Sequence, residues 1–86
     1  MQVINPTTSW VKYFDDEIGN IKNESGSRSE LKTYPIFVHR GVDEPNDDSA
    51  YITLENWDDV NINILSTIWI KKPDDNNDRR IIVDKW

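Results

Sequence analysis

Isoleucine stands at positions 62, 64, 68 and 70 of this chain, and that even spacing constrains its fold more than any other feature. Side chains two residues apart share one face of a strand, whereas a helix would scatter them around its axis. Residues 61–72 are therefore expected to form a half-buried strand, with Ile62, Ile64, Ile68 and Ile70 inward and Asn61, Asn63, Thr67 and Trp69 outward. Leu65 breaks the alternation, which predicts burial on both faces or a bulge. Residues 79–86 carry a matching stripe, Ile81 and Val83, and the stretch 73–78 between the two arms is made of turn formers. The arms 61–72 and 79–86 read as a C-terminal hairpin.

Upstream, residues 49–55 set Ala50, Ile52 and Leu54 against Tyr51, Thr53 and Glu55, the pattern of a half-buried strand. Residues 31–39 place Tyr34, Ile36 and Val38 on one face, and Pro35, lacking an amide donor, puts that strand at an edge or beside a bulge. Residues 9–21 fit two patterns. Trp10, Phe14, Ile18 and Ile21 match a helical face with Ser9 as cap and Gly19 as stop. Against that, residues 10–14 favour strand, and Asp15, Asp16 and Glu17 would oppose the dipole at a helix C-terminus. Strand, turn and strand is the favoured reading. Residues 56–60 suggest one helical turn capped by Asn56, and 23–29 a flexible surface loop. The sum is a mainly β chain: a small antiparallel sandwich or barrel of five to six strands, one domain over residues 1–86, with room for one short helix near 9–18 or 56–60.

With 86 residues and no cysteine, the chain has neither disulfides nor a thiolate metal site, and a reducing compartment is the default. The opening residues show no basic stretch followed by an apolar one, and no apolar run is long enough to span a membrane. A cytoplasmic protein is expected, without membrane association. Abundant Asn and Ile with little Gly and Ala suggest an AT-rich coding sequence, hence a bacterial or phage source; if phage, the host cytoplasm is its place.

The net charge of −6 disfavours general affinity for phosphate backbones. Its distribution is uneven: residues 1–60 hold five basic and twelve acidic side chains, residues 61–86 five and four. Residues 41–60 contain Asp43, Glu44, Asp47, Asp48, Glu55, Asp58 and Asp59, and neither lysine nor arginine.

Candidate chemistry is sparse. His39, the one histidine, has no nucleophile fixed beside it, and His39 with Arg40 would need a placed carboxylate for phosphodiester chemistry. Asp74, Asn76 and Asp78 begin like a calcium loop, but the pattern fails at Arg79, where glycine is needed, and at Lys85, where glutamate is needed. The reading is an exposed turn, with no metal and no cofactor, although residues 43–48 could collect a hard cation. The pairs Asp15 and Asp16, Asp47 and Asp48, and Asp58 and Asp59 are adjacent, so a strand would splay them. Trp69, Lys71, Lys72, Arg79, Arg80, Lys85 and Trp86 could compose a nucleic-acid face, but Asp74, Asp75, Asp78 and Asp84 interleave with them and predict charge pairing instead. Of the four tryptophans, Trp10 and Trp57 are expected in the core, and Trp69 and Trp86 partly exposed.

These features point to a binding protein rather than an enzyme. A rigid acidic surface made of Asp43, Glu44, Asp47, Asp48, Glu55, Asp58 and Asp59, with Trp69 and Trp86 supplying contact area, suits a protein partner with a basic surface. Such carboxylates can mimic nucleic acid, as in an immunity-type inhibitor or a phage-encoded inhibitor of host defence. Direct nucleic-acid binding is disfavoured, and pairing of exposed strands across a homodimer stays open. The alternatives are a structural or assembly subunit, or a small ligand- or metal-binding β-module.

Overall fold

The computed structural model describes residues 1–27 and 32–86. Those residues form six strands and no helix: β1 (Gln2–Ile4), β2 (Val11–Asn23), β3 (Ile36–Arg40), β4 (Ile52–Leu54), β5 (Asp59–Lys71) and β6 (Ile81–Lys85). All pair antiparallel, in one sheet of order β1-β6-β2-β5-β3-β4.

The spine is the pair β2 and β5, each 13 residues long. β6 flanks only the last part of β2, from Gly19 to Asn23, while β3 flanks only the last part of β5, from Ile68 to Lys71. The outer strands thus sit at opposite ends of the spine. They nevertheless share one core, to which β1 gives Ile4, β2 Phe14 and Ile21, β3 Ile36 and Val38, β4 Leu54, β5 Ile62, Ile68 and Ile70, and β6 Ile81 and Val83. Both ends of a sheet can reach one core only if the sheet curls, and three register shifts between β2 and β5 bend it. Tyr13 is an extra residue on β2; Asp15 and Asp16 together face Thr67; and residues 63–65 of β5 face Ile18 alone. Asp16 takes a left-handed φ of 56°, which aspartate tolerates better than most residues.

Side chains then sew the curled ends together. The Asn23 amide on β2 donates to the carbonyls of Tyr34 (2.8 Å) and Leu54 (3.0 Å), and the Ser25 hydroxyl accepts from the Arg80 amide at 2.9 Å. Arg79 Nε donates to the Pro35 carbonyl at 2.8 Å, joining the approach to β6 to the approach to β3.

The mainly β, antiparallel architecture matches the alternation in the sequence, but several details differ. β5 and β6 do not form a hairpin: β2 lies between them, because residues 72–80 fold around the buried Lys72 and Arg79 and carry the chain past the spine. Residues 11–23 are one continuous bulged strand instead of two strands and a turn, and neither 9–18 nor 56–60 is helical. At 55–58 the chain turns with Trp57 at φ 65°, held by Trp57 N donating to the Asn23 carbonyl at 2.6 Å. Ile64 is not a core residue; the bulge at 63–65 turns both Ile64 and Leu65 out, 65% and 60% exposed. Pro35 precedes β3, which is an interior strand between β5 and β4. The first residue of the strand expected at 31–39, Leu31, lies outside the described residues. Asn23 and Ser25 are buried clamps, not surface loop; Arg28 and Ser29 of that expected loop also lie outside the described residues. Trp10 and Trp57 are half-buried and belong to the outer surface, where Trp10 packs on His39 and Tyr51.

Candidate functional site

Two acidic stretches lie at the two ends of β4. The first, residues 41–49, is fastened at its entry, where the Trp69 indole donates to the Gly41 carbonyl (2.9 Å) and Gly41 N donates to the Thr67 carbonyl (3.0 Å). At its exit His39 Nδ1 lies 2.6 Å from the Ala50 carbonyl. Between them the Asn46 side chain accepts from Asp48 N at 2.9 Å, and Asn46 N donates to the Ser49 hydroxyl at 3.0 Å, so the loop has a built shape. The second stretch is the turn into β5, where Asp58 accepts from the Glu55 amide at 3.0 Å and Asp59 from the Asn20 side chain at 3.1 Å.

All seven carboxylates, from Asp43 to Asp59, are exposed, and among the described residues none makes an ion pair. Other acids do. Asp15 meets Lys12, Glu17 meets Lys85, Glu24 meets Lys22 and Arg80, Asp74 meets Arg79, and Asp84 meets the N-terminal amine. Two of these carboxyls titrate below their ordinary range: Asp74 through the Arg79 guanidinium and then the Asn76 amide, Glu17 through the Asp15 amide and then Lys85. Among the described acids outside residues 43–59, Asp15, Glu17, Glu24, Asp74 and Asp84 are thus neutralised locally and Asp16, Asp75 and Asp78 are not, so the longest run of unpaired carboxylates is the one around β4.

Between the two acidic stretches runs an open groove of about 510 Å³. β4 and β5 leave the turn together, Asp58 N donating to the Glu55 carbonyl at 3.1 Å, but they splay apart without pairing. The floor is core (Val38, Ile62, Ile68), and the walls are Tyr51, Ile52 and Ile64. Tyr51 and Ile52 are about half exposed, at 48% and 49%. Arg40 also lines the groove, without an ion pair among the described residues.

Trp69 is half-buried at the base of the acidic loop and serves as its anchor, with Lys12 5.8 Å above its ring. Trp86 is 68% exposed. Its amide donates to the Ile18 carbonyl on one side of β2, and the Ile64 and Leu65 bulge opposes Ile18 on the other, so three exposed apolar residues flank one strand position. The groove itself was not legible in the sequence. Its signal was the mismatch at Leu65, whose bulge also turns Ile64 outward.

The cations that could have made a nucleic-acid face are dispersed. Lys72 and Arg79 are buried, Lys72 bonded to the Asn76 carbonyl and the Asn77 side chain, while Arg80 and Lys85 are paired to Glu24 and Glu17. Lys71 lies 5.0 Å over Trp10. His39 is engaged with the Ala50 carbonyl and the Trp10 ring. Asp74, Asn76 and Asp78 build the turn: Asp74 also accepts from Asn76 N (3.0 Å), and Asn76 from Asp78 N (2.9 Å). Among the described residues no three His, Asp or Glu side chains gather so as to hold a metal ion. Comparison with protein-family models, curated proteins and solved structures finds no match. Among the described residues no helix is long and apolar enough to cross a membrane.

Proposed function

We propose that this chain is a small protein-binding module that occupies a basic surface of a partner macromolecule, as an immunity-type or anti-defence inhibitor of a nucleic-acid-binding protein does. One observation carries the reading: seven exposed carboxylates that make no ion pair among the described residues flank an apolar groove, while five of the eight other described acids are neutralised by neighbours. Charge without partners costs the folded state self-repulsion and returns it as steering and selectivity when an oppositely charged surface docks. Apolar groups at the centre of such a face supply the affinity that charge alone does not. Asp43, Glu44, Asp47, Asp48, Glu55, Asp58 and Asp59 supply the charge, Tyr51, Ile52 and Ile64 the contact area. Trp69 positions the loop, and Trp86 extends the apolar surface past the bulge.

The test is binding to a purified basic partner captured from bacterial lysate, measured over a salt series. The dissociation constant should rise at least about tenfold when salt goes from low to physiological strength, and again when Asp43, Glu44, Asp47 and Asp48 become Asn or Gln together. Binding indifferent to both, or no basic partner captured, overturns the proposal.

A further inference from the structure

We infer that the partner enters the groove as an extended segment, apolar in the middle and basic at both ends, which adds a strand along the open edge of β5 at residues 59–63. This rests on the basic-partner reading above and specifies how such a partner docks.

The edge is visible in the pairing. β2 accompanies β5 from Asp59 to Ile70 on one side. On the other side β3 accompanies it only from Ile68 to Lys71, the last link being Gly41 N to the Thr67 carbonyl. Residues 59–62 are regular strand, in register with β2 from Lys22↔Asp59 to Gly19↔Ile62, and Asn63 opens the bulge, yet no described strand lies on their other edge. β4 is the last strand of the sheet, so its outer edge is likewise without a strand among the described residues. The groove between them is lined by consecutive residues along its walls, Ala50, Tyr51 and Ile52 on one and 60 through 64 on the other, and by alternate residues, Val38 with Arg40 and Ser66 with Ile68, on the sheet face beneath. The alternate residues belong to a sheet face; the consecutive ones mean that the walls run along the backbone, where peptide groups and side chains are both presented.

Natural edges are usually blunted by lysine, proline or charge turned inward. Residues 60–64 carry none of these, only Val, Asn and Ile. The charge stands at the two mouths instead: Asp43, Glu44, Asp47 and Asp48 beyond the Ala50 end, and Glu55, Asp58 and Asp59 at the turn. An added strand would therefore find backbone pairing in the middle and attraction for Lys or Arg at its ends. Arg40 in the lining disfavours a cation directly above it, which keeps positive charge at the ends of the segment.

The probe is a synthetic peptide with paired lysines at each end and a central run of alternating Val and Thr, titrated into the full chain. Two companions carry the same side chains, with backbone N-methyl groups on one or the other alternate set of central residues. The unmodified peptide should bind and slow amide exchange within residues 59–63 at least about tenfold. One methylated companion, the one whose donors face β5, should bind at least about tenfold more weakly. Ile52→Lys, at an exposed groove position, should weaken the unmodified peptide by a similar factor. If both methylated peptides bind as well as the parent and no amide is protected, or if the parent peptide does not bind at millimolar concentration, strand addition is overturned while a basic partner can still dock by charge. If methylation blocks binding but salt and neutralisation of the acidic loop do not affect it, strand addition stands and the basic-partner reading falls.

Discussion

Asn23 shows how much one polar residue can hold when it has no access to water. Its amide nitrogen reaches Tyr34 and Leu54, its side-chain oxygen accepts from Ser25 N at 3.1 Å, and its backbone closes onto Trp57 and Asp58. Asn23→Ala leaves two buried carbonyls without donors, each costing about 1–3 kcal/mol, and should lower unfolding stability by about 2–4 kcal/mol in urea titrations. None of this was legible locally. Asn, Glu, Ser and Gly in a row are the composition of a surface turn, and the same hydrogen-bonding capacity serves a buried clamp when distant carbonyls are brought to it. Asp74 and Arg79 make a second case, in which the Arg79 side chain is fully covered and its carboxylate partner lies in the exposed turn. The folded Asp74 carboxyl titrates below its ordinary value of about 4, so its stabilisation is complete above that pH and is lost as the pH falls through the lower folded value. Denaturation midpoints between about pH 5 and 2 should therefore fall with acid, and Asp74→Asn should flatten that fall while lowering the plateau, because Arg79 then stays buried without its counter-charge.

Among the elements, β2 was the hardest to read and does the most. Its apolar residues fit a helical stripe because bulges break the strand's alternation: one of Asp15 and Asp16 is inserted, so the core residues Phe14 and Ile21 stand an odd number apart, while Ile18 is half-buried and outside the core. Gly19, which looks like a helix stop, is needed because β6 crosses there; a Cβ would overlap the Asp84 carbonyl oxygen. Gly19→Ala should cost about 1–3 kcal/mol or more and selectively loosen amides of β6 in hydrogen exchange, whereas a loop glycine such as Gly26, at φ 59°, should affect only its own turn. The inward stripes were legible where the strand is regular, at Ile62, Ile68, Ile70, Ile81 and Val83. The partners were not, since β5 and β6 present equally good apolar faces to each other and to β2, and nothing local says which pairing wins. β1 gave no signal because only Ile4 of its three residues is buried.

At the scale of the whole molecule, the net charge of −6 divides into acids that hold something and acids that hold nothing. Replacing Asp43, Glu44, Asp47 and Asp48 by Asn or Gln removes repulsion without breaking an ion pair among the described residues. The variant should melt no lower than the parent, with any gain largest at low ionic strength and fading as salt is added. A lower melting temperature would mean that those carboxylates serve the fold. The strand order has a consequence in time. Among the described strands only β3 and β4 are neighbours both in the sheet and in the chain; the other pairings join segments far apart in sequence. Long loops must close before most contacts form, which places folding toward the milliseconds-to-seconds end of the range for small domains. Throughout that interval the edges of the two long strands stand open to other copies, and the excess of like charge that weakens the finished molecule keeps the unfinished ones apart.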